Sequence, residues 1–305
     1  MQESELVVVT GAFSYTGKYI TRRLLNLGKR VRTLTGHPNR PNPFGDRVSV
    51  AAYDFDNPSR LEDSLRGATT LINTYWVRFS HGAITFDRAV ENTTILLGAA
   101  KRAGVRRIVQ VSITNPSESS SLPYFRGKAQ VEKAVRESGL SHAILRPAVI
   151  FGPEDILINN IAWFVRNFPV FGVPGRGDYG LQPIFVEDMA DLVVAAGARR
   201  DNFIADAVGP EIFGFEELVR LIGETIGRPV RIVHVSPAVA WAACRLAGLM
   251  VRDVVLTREE IDGLMANLLV SSGSPTGTTR LSDWLKNNAA SAGAQYASEL
   301  ARHYR

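Results

Sequence analysis

With 305 residues, 45% of them apolar and 21% charged, the chain has the composition of an ordinary globular protein and the length for one large α/β domain plus a smaller lobe. The formal charge of +5 comes from scattered Lys and Arg, with no basic stripe for a polynucleotide, so no nucleic-acid partner is expected. One cysteine, Cys244, excludes an internal disulfide framework, and His81, His142, His234 and His303 lack metal-ligand spacing, so no metal is expected.

The start Met1-Gln2-Glu3-Ser4-Glu5 is acidic and lacks the basic n-region and apolar h-region of a secretory signal, which together with the single cysteine gives a cytoplasmic expectation. Leu6-Val7-Val8-Val9-Thr10 is a short continuous apolar run, the pattern of a strand buried on both faces. A Gly-rich turn follows. The spacing then predicts a helix over 16–27, with Ile20, Leu24 and Leu27 on one face and Gly28 as its stop. Strands are predicted at 30–34, 48–53, 70–75, 107–113 and 142–145, and helices at 58–65, 86–103 and 124–138. Between them, 37–43 is dense in Pro and Asn and reads as loop. Strands alternating with helices over short connections imply an α/β fold with a doubly wound parallel sheet, a Rossmann fold.

After Pro147 the pattern loosens. A helix is predicted at 156–167, loop at 168–180, a strand or turn at 183–188 and a helix at 189–197. The stretch 203–208 can return to the sheet, and 215–226 is a clear amphipathic helix. The longest apolar run, 238–251, is interrupted by Arg245 and falls short of the ~20 residues a bilayer crossing needs. It reads as a buried or interfacial helix, and no transmembrane segment is expected. A helix, a loop at 271–279 and a final helix complete the tail. The expected division is 1–155 as the nucleotide-binding domain, its sheet completed by 183–209, and 156–182 with 210–305 as the smaller C-terminal lobe.

The turn Gly11-Ala12-Phe13-Ser14-Tyr15-Thr16-Gly17 joins the first strand to the first helix. A pyrophosphate binds at such a place, because unpaired N–H groups and the positive dipole end point at it. Glycine is needed where a Cβ would collide: Gly11 for the tight turn, Gly17 for close packing in the first helical turn, with Ser14 and Thr16 adding hydroxyl donors. The turn resembles that of extended and atypical short-chain dehydrogenases/reductases, in which three glycines are spaced three apart; Ser14 stands at the middle one. Among these it is similar to the NmrA-like proteins and the relatives of the mitochondrial complex I accessory subunit, over about residues 5–191.

The second strand is followed by Thr35-Gly36-His37, with Arg40 beyond and no acid to repel a 2′-phosphate. NADP is therefore the expected cofactor, with NAD as the alternative. The resemblance implies that Asp54 and Phe55 frame adenine, that Thr74 and Tyr75 lie beside the nicotinamide ribose, and that the segment holding Pro147 and Val149 contacts the carboxamide. Asp54 serves equally well as a helix cap. Tyr75 and Trp76 stand where relatives carry small residues, and they narrow or block the site.

Tyr124 and Lys128, four apart, share a helix face if the helix starts no later than Tyr124; Pro123 just before it and Gly127 between the pair put that at risk. They resemble the proton donor of short-chain reductases and the lysine that lowers its pKa, with Ser112 or Thr114 to orient a carbonyl. The implied activity is NAD(P)-dependent reduction of a small carbonyl, enone or quinone. The alternative is a non-catalytic dinucleotide-binding sensor or assembly subunit. The chain is expected to be a monomer or homodimer.

Overall fold

The structure, a computed structural model, describes residues 4–303; the acidic start read at Met1-Gln2-Glu3 lies outside them. In chain order the first elements are β1 (Leu6–Thr10), α1 (Tyr15–Asn26), β2 (Arg30–Thr35), β3 (Val48–Ala52), α2 (Pro58–Leu65), β4 (Ala68–Asn73), α3 (Phe86–Arg102), β5 (Arg107–Val111), α4 (Pro123–Glu137) and β6 (Ser141–Pro147). Then come β7 (Ile150–Phe151), α5 (Leu157–Asn167), β8 (Val170–Pro174), β9 (Gly180–Leu181), β10 (Ile184–Phe185), α6 (Val186–Ala198), β11 (Phe203–Ala207), β12 (Phe213–Gly214), α7 (Phe215–Thr225) and β13 (Arg231–Val235). The last are α8 (Pro237–Val251), α9 (Arg258–Met265), α10 (Leu281–Asn287) and α11 (Glu299–His303).

Seven strands form the main sheet in the order β11-β6-β5-β4-β1-β2-β3, a Rossmann-like arrangement. Strands β3 to β6 along that order pair in parallel, β1 in register with β2 as Val7 to Val31 and Val9 to Thr33. The order reverses between β1 and β4. In such sheets ligands bind outside the carboxyl ends of the strands at this reversal. β1 is buried at every position, as its unbroken apolar run requires between two helical layers. Leu34, Leu61, Leu71, Leu96, Ile108 and Ile144 make one dry core under the helices of one face. Helix ends carry their own signals: Asn57 caps α2 by accepting from the Arg60 amide, and Thr85 caps α3 through Arg88. Asp54 is thus not the cap of α2.

The chain divides into two compact units. The first is the chain up to Arg146 together with Met189–Ala205; the second is Pro147–Asp188 with the chain from Asp206. This differs from the expected boundary at 155. The short strand β7 pairs with β10, and Phe151 sits at the centre of the second unit's core with Ile158, Leu181, Leu218 and Leu285. The stretch 168–180 is not all loop: β8 pairs in parallel with β13. Its Gly172 and Pro174 hide the strand from local reading, since the partner lies far along the chain. The tail beyond 280 forms two short helices, α10 and α11, not one. Among the described residues no helix is long and apolar enough to cross a membrane, and no cluster of His, Cys, Asp or Glu could hold a metal.

Candidate dinucleotide site

The turn after β1 is held by its own backbone. Gly11 takes φ +65°, donates its N–H to the Leu34 carbonyl at 2.8 Å and accepts from the Ser14 N–H at 2.8 Å. A Cβ on Gly17 would stand 2.0 Å from the Gly11 carbonyl oxygen, so only glycine fits. Ser14 is the residue preceding α1, with φ −73° and ψ 170°, ordinary extended backbone open to any residue. Replacing the middle glycine therefore leaves the path of the turn intact. Its side chain caps nothing, and no acid occupies the first turn of α1. The donors at this helix start thus have no side-chain carboxylate competing for them, as an anion site requires. Thr16 and Tyr15 open the helix, and Phe13 lies against Phe44, ring centroids 6.4 Å apart.

Thr10, the last residue of β1, laces the sheet reversal. Its hydroxyl donates to Asn73 Oδ1 at 3.0 Å and accepts from the amides of Thr74 (2.7 Å) and Tyr75 (3.0 Å), while Thr74 Oγ1 donates to the Thr10 carbonyl at 2.5 Å. Asn73 in turn donates to Gln110 on β5 at 2.8 Å. These bonds explain why β4 stops at Asn73 rather than running to residue 75: the next two amides turn inward to a hydroxyl and leave the ladder. Thr10, Asn73 and Gln110 were not singled out in the sequence. Each sits in an otherwise apolar strand, where a polar residue buried on both faces needs such a partner.

Three rings meet beyond the ends of β3 and β4. Tyr53 stacks on Phe55 at 5.0 Å, and Tyr75 lies 5.3 Å from Tyr53 and 5.5 Å from Phe55. Burial raises both tyrosine pKa values, at Tyr75 against the hydrogen bond from Asn92. Asn92 Nδ2 donates to the Tyr75 hydroxyl at 2.9 Å, which gives this helical asparagine its structural role. Asp54 pairs with Arg60 at 3.1 Å. His37 is exposed after β2, its amide donating to Thr35 Oγ1, and the Arg40 amide donates to the His37 carbonyl.

Helix α4 begins at Pro123, so Tyr124 and Lys128 do share a face. What covers that face is Trp76. Its ring lies 4.7 Å below the Lys128 ammonium, edge-on to Tyr124 at 5.8 Å and stacked on Phe86 at 6.0 Å. The glycine between the pair is what admits the indole: a Cβ on Gly127 would stand 2.8 Å from Trp76 Cη2. Lys128 Nζ donates to the Val111 carbonyl at 3.1 Å and is 5.9 Å from the centre of the Tyr124 ring. Two buried polar atoms here have no partner, Trp76 Nε1 and Asn92 Oδ1; a bound group would gain hydrogen bonds at them.

Desolvation pushes the Lys128 pKa from 10.5 down to about 7, against the attraction of Glu132. The unfolded chain then binds more protons than the folded one between those values. The stabilisation is thus fullest above 10.5 and is lost as the pH falls towards 7. Lys128→Met removes the buried amine. Its melting temperature should gain on the parent's as the pH is lowered through this window; a gap that stays constant across the pH series would contradict the desolvation.

Ser112, just after β5, donates to Glu132 Oε1 at 2.5 Å, and Arg146 grips the same carboxylate through Nε (2.9 Å) and Nη2 (2.5 Å). The Ser112 proton is therefore directed to Glu132 on α4. Thr114 is fully buried. Glu132 has no local signal in the sequence, because its partners lie on other elements; in the fold both Glu132 and Lys128 are buried. Pro147 is the last residue of β6, and Val149 packs on the second unit's core.

Comparison with known proteins bears on this arrangement. Residues 11–156 match the family model described as NAD(P)H-binding. This stretch is an NAD(P)H-binding domain. The chain is 27% identical over 290 residues to the mitochondrial NADH dehydrogenase [ubiquinone] 1 alpha subcomplex subunit 9 of Arabidopsis thaliana, covering 88% of this chain and 72% of that protein. It is 29% identical over 191 residues to a ceramide reductase of Caulobacter vibrioides, covering 62% and 60%. In structure it is similar to the Citrobacter sp. triphenylmethane reductase complexed with NADP(H), with a TM-score of 0.77, 18% identity, and 92% and 99% of the two chains covered. The NADPH-dependent quinone oxidoreductase of Escherichia coli superposes with a TM-score of 0.71 at 20% identity, covering 92% and 99%.

Within residues 11–156, the glycine turn and the Tyr124–Lys128 face differ. The glycine turn fits a dinucleotide: a positive-φ glycine, a cradle that one Cβ would fill, and a helix start without a carboxylate. By contrast, Lys128 and Ser112 already have partners within the protein.

Proposed function

We propose that this chain binds NADP(H) and holds it without turning it over, as a sensor or as a subunit of a larger assembly. The observation that carries this reading is the internal engagement of the groups a carbonyl reductase would use. Lys128 donates to the Val111 carbonyl against the Trp76 ring, and the Ser112 hydroxyl donates to Glu132. Similarity to a named complex I subunit over most of the chain supports the assembly role. The preference for NADP rests on the absence of an acid after β2 and on His37 and Arg40 there, in the manner of a 2′-phosphate site. The single cysteine supports a reducing, cytoplasmic setting, and we take the protein to be a monomer or homodimer.

A second reading has its own observation. Tyr124 and Lys128 lie on one face of α4, as a proton donor and its activating amine would. When bound, the reduced dinucleotide supplies a hydride; Tyr124 would supply the proton to a small carbonyl, enone or quinone. The ceramide reductase and the quinone and dye reductases stand on this side.

Purification followed by mass spectrometry of the released nucleotide, titration with NADPH and NADH, and assay against aldehydes, ketones, enones and quinones separates the two. The expected result is stoichiometric NADP(H), NADPH affinity about tenfold above that for NADH, as one charge-assisted contact to the 2′-phosphate provides, and no acceptor-dependent oxidation. Turnover that Tyr124→Phe lowers by about 10²–10⁴ would replace the first reading with the second. Equal affinities would remove the argument from His37 and Arg40.

A further inference from the structure

Helix α8 is built inside out. Its two fully buried positions, Ala240 and Gly248, carry no large side chain, with Trp241, Cys244, Ala247 and Val251 half-buried beside them, and Gly248 is glycine because a Cβ would stand 2.6 Å from the Asp253 carbonyl. Its large apolar side chains face outward: Leu249 is 78% exposed, Leu246 70%, Met250 56% and Val239 54%. With the exposed Ala242 and Ala243 they recur at i, i+3, i+4, i+7, i+10 and i+11, one continuous face of the helix. A helix evolved only to cover a core puts its large side chains inside. Burial also pushes the Cys244 thiol up to about 11, so this helix offers no thiolate chemistry.

Along α8 itself the charge has one sign, while α9, packed against it, carries Glu259 and Glu260. Between Glu224 and Asp253 the sequence has no acidic residue, while Arg228, Arg231, Arg245 and Arg252 are all exposed. Arg245 projects at the rim of the apolar face, its guanidinium 5.2 Å over the Trp241 ring, and Arg252 ends the helix. An apolar face rimmed by arginine is the pattern of a helix that lies in a membrane interface, apolar side down and cations at the headgroups. A second copy of this chain is a poor occupant: a two-fold contact places the same patch on itself, bringing arginine to arginine with no carboxylate on the helix to pair with either.

We infer that α8 docks the protein onto the surface of an anionic bilayer, with Val239, Leu246, Leu249 and Met250 entering the headgroup–acyl boundary and Arg245 and Arg252 binding lipid phosphates. The helix lies on the membrane and does not cross it, since it is too short to span.

Sedimentation with extruded vesicles tests this on the whole protein. The chain should pellet with vesicles of phosphatidylcholine mixed with phosphatidylglycerol, and much less with phosphatidylcholine alone. The double variant Leu246→Glu/Leu249→Glu, at two exposed positions, should bind the anionic vesicles more than about tenfold more weakly at an unchanged melting temperature. Arg245→Gln and Arg252→Asn, the latter suited to the left-handed φ of 52° at that position, should each weaken binding roughly fivefold, on anionic vesicles only. Should the double variant melt early, the arginine variants carry the test alone. A protein that stays in the supernatant with both vesicles overturns the inference, and so does pelleting that none of these variants changes. Concentration-dependent dimerisation that the double variant abolishes, without vesicle binding, would assign the face to a second copy instead.

Discussion

Gly17→Ala is expected to abolish dinucleotide binding in a chain that still folds. The new methyl carbon would lie 2.0 Å from the Gly11 carbonyl oxygen and 2.9 Å from Ser14 Oγ. The serine could rotate, but the carbonyl cannot retreat cheaply. It accepts the Ser14 amide, and the Gly11 amide is bonded to Leu34, so moving the peptide breaks the turn that presents the helix start. Losing two amide bonds to a charged pyrophosphate costs about 3–6 kcal/mol, or about 10²–10⁴ in affinity. Fluorescence titration with NADPH measures it, and circular dichroism checks that the variant is folded. Gly11→Val should rank second: its Cβ meets Ser14 Oγ at 3.3 Å, but φ of +65° strains a β-branched residue. A folded Gly17→Ala protein that binds NADPH like the parent would place the cofactor elsewhere.

The other large effect is on stability. Arg146→Met leaves Glu132, only 3% exposed, with the Ser112 hydroxyl as its remaining close donor. Removing one partner of a buried pair costs about 3–5 kcal/mol, because the other charge stays buried without compensation. For a chain of this size that lowers the melting temperature by on the order of 10 °C. Arg146→Met/Glu132→Leu should recover most of the loss, since replacing both partners by apolar groups of similar volume is nearly neutral. Paired urea and thermal melts distinguish the cases. If the single variant loses under about 1 kcal/mol, the pair behaves as a surface ion pair and the carboxylate is reached by water.

How far these sites could be read in advance depends on how local their causes are. The first strand, the first helix and the glycine turn were legible because an apolar run, a 3.6-residue period and the demand for a missing Cβ are all written within a few neighbouring residues. The same holds for the order of alternating elements up to residue 147 and for the helix over Phe215–Thr225. The strand β8 was not legible, because its partner β13 begins some sixty residues later and its own Gly and Pro argue against a strand. Glu132 was not legible for a related reason: nothing near it in sequence reveals that a serine after β5 and an arginine on β6 converge on its carboxylate.

By itself, then, the sequence determined that this is a wound α/β chain with a tight glycine turn at Gly11 to Gly17, because backbone sterics and hydrophobic period act over short spans. Only the tertiary structure decided what surrounds the reductase-like pair. Tyr124 and Lys128 share their face in the sequence as in the fold, but the indole that covers them comes from Trp76, at the end of a different strand. Gly127 reads locally as a helix weakness, yet in the fold it is the gap that lets this indole approach. The run 238–251 was compatible with a buried or an interfacial helix, since its apolar content is the same either way. Only packing shows which side faces out: Ala240 and Gly248 are buried, while Leu246, Leu249 and Met250 are exposed.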